Sequence, residues 1–148
     1  MLKLTAAAVL GAWMASTAAA SALDDLRWSK RVLLVFAAPD DPRLAEQTAF
    51  LSAVPTGEIA ARDVVVLLVP PEGETTTLFG EPRGSRGVAA IRKAYDASAK
   101  KPFEALLIGK DGGVKWRESR PAAASEIFGL IDSMPMRRQE LNGNDGRP

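Results

Sequence analysis

Two short, uninterrupted apolar runs organise the chain. One is Val32-Leu33-Leu34-Val35-Phe36-Ala37; the other, led in by Asp63, is Val64 to Val69. Runs of this length, bounded by turn residues, predict strands buried on both faces. Between them Asp41 can cap a helix that opens at Pro42, a position where proline is tolerated. Leu44, Thr48 and Leu51, with Ala45, Phe50 and Val54, continue it at helical spacing, and Pro55-Thr56-Gly57 ends it. Pro70-Pro71 stops the second strand, and Glu72 to Gly87 reads as a loop rich in glycine and proline. A second helix is expected from about Gly87 to Ala99, with Val88, Ile91, Tyr95 and Ala99 on one face.

Phe103 to Ile108 is the third predicted strand. Gly109-Lys110-Asp111-Gly112-Gly113 turns the chain, because Asp-Gly supplies the positive backbone angles of a hairpin, and Val114 to Arg117 returns. Pro121 opens a last helix whose buried stripe is Ile127, Phe128, Ile131 and Met134, with Arg137-Arg138 expected to complement its negative end. The polar segment Asn142 to Pro148 is expected to be a disordered tail. The order β-α-β-α-β-β-α predicts an α/β domain over residues 23–141. It has a mixed four-stranded sheet with helices on both faces.

The first 22 residues stand apart. Lys3 is the only charge before Asp24, Leu4 to Met14 is apolar, and Ala18-Ala19-Ala20 and Ala20-Ser21-Ala22 are small-residue cleavage sites. This pattern predicts a secretory signal peptide over residues 1–22 and a periplasmic or secreted product, with no stable membrane anchor after cleavage. Charge adds little: 19 Lys+Arg face 18 Asp+Glu, which gives no basic excess for nucleic acid. The absence of cysteine and histidine changes the picture more. It excludes disulfides, thiolate nucleophiles, CxxC redox chemistry, zinc–cysteine sites and Ser-His-Asp machinery.

The element order resembles the thioredoxin fold. Phe36-Ala37-Ala38-Pro39-Asp40-Asp41-Pro42-Arg43 stands where thioredoxins carry a strand ending in an aromatic residue, then Cys-Gly-Pro-Cys, then a helix. Aligning Pro42 on the proline of that motif puts Asp40 and Arg43 at the two cysteine positions. Leu106-Leu107-Ile108-Gly109-Lys110-Asp111-Gly112-Gly113-Val114 looks like the late hairpin.

A narrower resemblance runs over roughly residues 23–141. Its segments are Leu26-Arg27-Trp28, Arg31 to Phe36, Asp41-Pro42-Arg43-Leu44, Leu107 to Lys115, Ile127-Phe128, and Ile131 to Glu140 with its Met-Pro-Met-Arg-Arg-Gln-Glu end. They are similar to a domain-of-unknown-function family of small exported proteins with a thioredoxin-like fold, related copies of which occur in vertebrate sushi-repeat-type matrix proteins. The resemblance implies the fold and brings no catalytic residue.

Candidate sites follow. Asp40, Asp41 and Arg43 lie beyond the carboxyl end of the first strand, where open α/β sheets bind ligands. The same residues also make an ordinary turn, cap and first helical turn. Trp28, before the first strand, is either an edge indole or a binding platform. Asp24-Asp25 and Asp40-Asp41 lack the alternating ligands of a calcium loop, so no metal is expected. The loop Gly80 to Gly87 lacks phosphate-loop spacing, and no cofactor is expected. The expected function is a redox-inactive binding or accessory module with an unidentified protein partner. The alternative is an enzyme of peroxiredoxin-like ancestry using non-cysteine chemistry. Cleavage after Ala22 is checked by N-terminal sequencing of protein taken from the native cell envelope. The expected first residue is Leu23, and an intact Met1 in the membrane fraction would refute it.

Overall fold

The structure, a computed structural model, describes residues 22–82, 84–97 and 100–144. The expected signal peptide thus lies, apart from Ala22, outside the described residues. The elements are β1 (Arg31–Ala37), α1 (Pro42–Ser52), α2 (Thr56–Ala60), β2 (Val64–Val69), β3 (Thr76–Phe79), α3 (Val88–Ala94), β4 (Phe103–Ile108), β5 (Val114–Glu118), α4 (Ala124–Asp132) and α5 (Pro135–Asn144). The strands form one sheet in the order β3-β2-β1-β4-β5. β1 runs parallel to β2, and the other neighbours are antiparallel. This is the thioredoxin-like α/β architecture that the pattern predicts.

β1 and β2 read as continuous apolar runs because both of their faces are covered. Leu33, Val35 and Ala37 enter one core with Leu44, Leu51, Ile59, Ile127 and Ile131. Val32, Leu34 and Phe36 enter the other with Leu23, Leu26, Val88, Ile91 and Tyr95. The strand period of two deals side chains alternately to the two layers. Gln47, itself buried, ties α1 to the segment before α4 through both its amide atoms. Its Nε2 donates to the Ala122 carbonyl at 2.9 Å, and the Ala122 N–H donates to its Oε1 at 2.9 Å.

Five expectations are corrected. The sheet has five strands, not four: Thr76–Phe79 pairs with β2 inside the segment read as a loop. Pro55-Thr56-Gly57 does not simply end a helix, because Pro55 leads into the short helix α2. The last helix is two. Ser133 closes α4, and Pro135 opens α5, which reaches Asn144. The expected tail is therefore helical over 142–144, and residues 145–148 lie outside the described residues. Arg137 and Arg138 accordingly sit near the start of α5 rather than at a final helix end, and Arg137 donates to the Ala61 carbonyl at 2.8 Å.

β3 is seated by Gly80. It has φ +92°, and a Cβ there would lie 2.9 Å from the Val64 carbonyl oxygen and 3.3 Å from the Val65 Cα. Both obstacles are backbone and cannot swing aside. Gly84 has open space around it. Gly80→Ala is expected to cost about 1–3 kcal/mol in urea unfolding, and Gly84→Ala to stay within about 1 kcal/mol. Equal midpoints for the two variants would contradict this seating of β3.

Candidate functional site

The carboxyl end of β1 is filled by its own residues. Asp41 is the N-cap of α1, and its Oδ1 accepts from the Arg43 N–H at 2.9 Å. The Arg43 guanidinium then grips the same carboxylate at two points, 2.9 Å each. The Arg43 side-chain and backbone hydrogen bonds hold the Asp41 carboxyl below its ordinary value. Both oxygens of Asp41 are thus engaged by Arg43, and Asp40 is exposed beside them. Nearby, Arg92 donates to the carbonyls of Val69 and Pro70 at 3.2 and 3.1 Å and lies over the Phe36 ring. Glu104, buried on β4, is paired with Arg117 and Lys101. Three arginines thus occupy the end of the sheet where a redox dithiol would work.

The opposite end holds what the sequence reading missed. Arg31 opens β1 with only 1% of its surface exposed. It donates to the Arg62 carbonyl at 2.9 Å and to both oxygens of Glu140 at 3.1 and 3.3 Å, while its Nε has no partner. Lys110, buried in the β4–β5 turn, donates to Glu140 at 2.6 Å and to Asp63 at 2.8 Å. Arg62 and Arg137 share Asp132. The signals were present: a charge opening a wholly apolar strand, and a lysine in a turn. The pairs are too distant in sequence for local pattern to join them.

Two clefts flank the β4–β5 turn, one on each face, and Gly109 and Asp111 line both. The first, about 280 Å³, is floored by Leu23, Leu26, Val32 and Ile108 and edged by Arg27, Lys30, Tyr95 and the turn. The second, about 230 Å³, lies between Arg31, Lys110, Lys115 and the Met134-Pro135-Met136 corner. Trp28 stands beside the turn, its N–H donating to the Lys110 carbonyl at 2.6 Å. It is 61% exposed and has φ +69°, a region costly for a bulky side chain. The structure thus places Asp40, Asp41 and Arg43 at one end of the sheet and Trp28 at the other.

Carboxylates that are displaced in this fold are displaced downward by cation partners. For Glu140 burial opposes the shift, but hydrogen bonds from Lys110 and Arg31 prevail and lower it. The Arg62 hydrogen bond, partly opposed by burial, lowers Asp132. A carboxylate with a lowered folded value stabilises the fold above its unfolded value of about 4.3 or 3.9 and loses that contribution as the pH falls through the folded value. Urea stability is therefore expected to fall as the pH drops below about 4. Glu140→Gln is expected to cost about 1–3 kcal/mol at neutral pH, by leaving Arg31 short of charge, and to flatten the acid limb. An unchanged acid limb in that variant would contradict this account.

Comparison with known proteins agrees with this fold. A mitochondrial 2-cys peroxiredoxin from Plasmodium falciparum superposes with a TM-score of 0.53 at 15% identity, over 82% of this chain and 83% of that one. The likeness is one of fold. Coiled-coil domain-containing protein 80 of Danio rerio is 33% identical over 135 residues, which cover 80% of this chain. The chain spans 15% of the length of that curated relative. Residues 22–140 match the family model described as Domain of unknown function (DUF4174). Those residues hold the whole ion network from Arg31 to Glu140, both clefts and the Asp41–Arg43 closure, and the chain belongs to the DUF4174 family.

Proposed function

We propose that this domain is an exported, redox-inactive binding or accessory module that works from the β4–β5 turn end of the sheet. One observation carries the reading. The large hydrophobic side chains exposed among the described residues are Trp28, Val114 and Leu141, and each is tied to that turn by a hydrogen bond or by its place next in the chain. Trp28 is hydrogen-bonded to it through the backbone, Val114 follows Gly113, and Leu141 follows Glu140, which is bonded to Lys110. Exposed apolar groups ringed by charge suit a protein partner. The redox-position end carries none of these exposed apolar side chains; there Asp41 and Arg43 are bonded to each other, and Arg92 and Arg117 to backbone carbonyls. With no cysteine in the chain, dithiol exchange has no nucleophile.

The test pairs two measurements on the full chain. Insulin reduction and peroxide consumption are expected to stay at background. In capture from an envelope extract, Trp28→Ser and Val114→Ser are expected to lower recovery of co-purifying protein several-fold. Asp40→Ala and Arg43→Ala are expected to leave it unchanged, although Arg43→Ala lowers the melting temperature by loosening the cap. Turnover that follows the pure protein, or loss of capture in the Asp40 and Arg43 variants alone, would overturn the reading.

A further inference from the structure

The first cleft has the chemistry of a ligand site. Its floor of Leu23, Leu26, Val32 and Ile108 is apolar and belongs to the second core. Polar groups at its edge are held in place without being used up. Arg27 is fixed at two points: its Nε donates to the Asp111 carbonyl at 3.1 Å, and its guanidinium lies 5.1 Å from the centre of the Trp28 ring. Among the described residues its two terminal nitrogens have no partner. The Lys30 ammonium forms no hydrogen bond among the described residues and stands 3.8 Å from an Asp63 oxygen, while the other oxygen of Asp63 is taken by Lys110. The carboxylate in the lining, Asp111, is turned to its own side: Oδ1 accepts from the Gly113 N–H at 3.0 Å and Oδ2 from Lys115 at 2.8 Å. The cleft therefore faces a ligand with a surplus of cationic donors.

Tyr95 adds a neutral donor. Burial raises its pKa, with no hydrogen bond contributing, so the phenol keeps its proton. Arg31 Nε is the one fully enclosed side-chain nitrogen or oxygen without a partner among the described residues. The Tyr95 hydroxyl, equally without a partner there, must open onto free space, and Tyr95 lines this cleft.

We propose that the cleft beneath Arg27, Lys30 and Tyr95 binds a small organic carboxylate with a compact apolar body. The two oxygens of the carboxylate would meet the fork of Arg27, with Lys30 and the Tyr95 hydroxyl as further donors, and the body would lie on Leu26, Val32 and Ile108. At about 280 Å³ the cleft is small, which excludes a large cofactor. Trp28 is a positioning residue here, since its ring face holds Arg27. This also gives a reason for keeping a large aromatic at φ +69° where glycine would be unstrained.

The assignment rests on reading the β4–β5 turn end as the working end, but its test does not depend on a partner. The full chain is titrated with 4-phenylbutyrate, and with its neutral amide as control, while backbone amide NMR shifts are followed. Saturable shifts are expected at Leu26, Val32, Ile108 and Gly112 with the acid, and far weaker ones with the amide. Arg27→Gln is expected to weaken binding about 10-fold or more, and Tyr95→Phe, which conserves volume, about 2–10-fold, with melting temperatures unchanged. Trp28→Phe is expected to keep most of the affinity and Trp28→Ala to lose it. Absence of saturable shifts, equal binding of acid and amide, or shifts confined to the Met134–Met136 cleft would overturn the ligand assignment. Each of these results can coexist with intact partner capture, so the ligand can fail without the binding-module reading failing.

Discussion

The fold depends on how it handles one charge. Arg31 is the first residue of the central strand, in register with Val64 at the start of β2, and it lies beneath the helical layer. An uncompensated guanidinium there would cost several kcal/mol, so the surroundings must bring acceptors to it. The backbone leaving α2 brings the Arg62 carbonyl, and α5 brings Glu140. Glu140 in turn takes Lys110 from the β4–β5 turn, and Lys110 takes Asp63. One buried cation thereby fixes the last helix, the entry to β2 and the tip of the hairpin relative to one another.

This distribution of charge divides the two ends of the sheet by task. At the carboxyl end of β1, Asp41, Arg43 and Arg92 spend their hydrogen bonds within the fold, on a helix cap and on strand-end carbonyls. At the amino end the ion network is tied by hydrogen bonds between distant elements, and clefts lie beside it. Arg31 and Lys110 brace one side of the turn, while Arg27 and Lys30 stand on the other with donors to spare. A scaffold that holds polar groups in fixed positions without satisfying all of them is suited to recognition.

The sequence was most informative where the determinants were local. β1, β2 and β4 announced themselves through runs of β-branched and aliphatic residues, the hairpin through Asp111-Gly112, and the start of α1 through Asp41-Pro42. β3 was hidden because Thr76-Thr77-Leu78-Phe79 is half polar and is surrounded by glycine and proline; its place is set by pairing to Leu67 and Leu68, which no local pattern encodes. α2 was obscured because Pro55 read as a stop, and α5 because the segment from Pro121 onward read as one helix, whereas proline also suits a helix entrance. For the site, Asp41 could be recognised as a cap from its neighbours. Arg31 and Glu140 could not be joined, because 109 positions separate them and nothing in spacing links residues so far apart.

That same separation orders events as the chain is made. Arg31 enters the growing polypeptide 109 positions before the carboxylate that neutralises it, which α5 carries. An incomplete chain can pair β1 with β2, but it cannot bury Arg31 without leaving its charge unanswered. Contacts of this range are the slow ones to form. The ion pair is therefore a lock that closes only once α5 has been made.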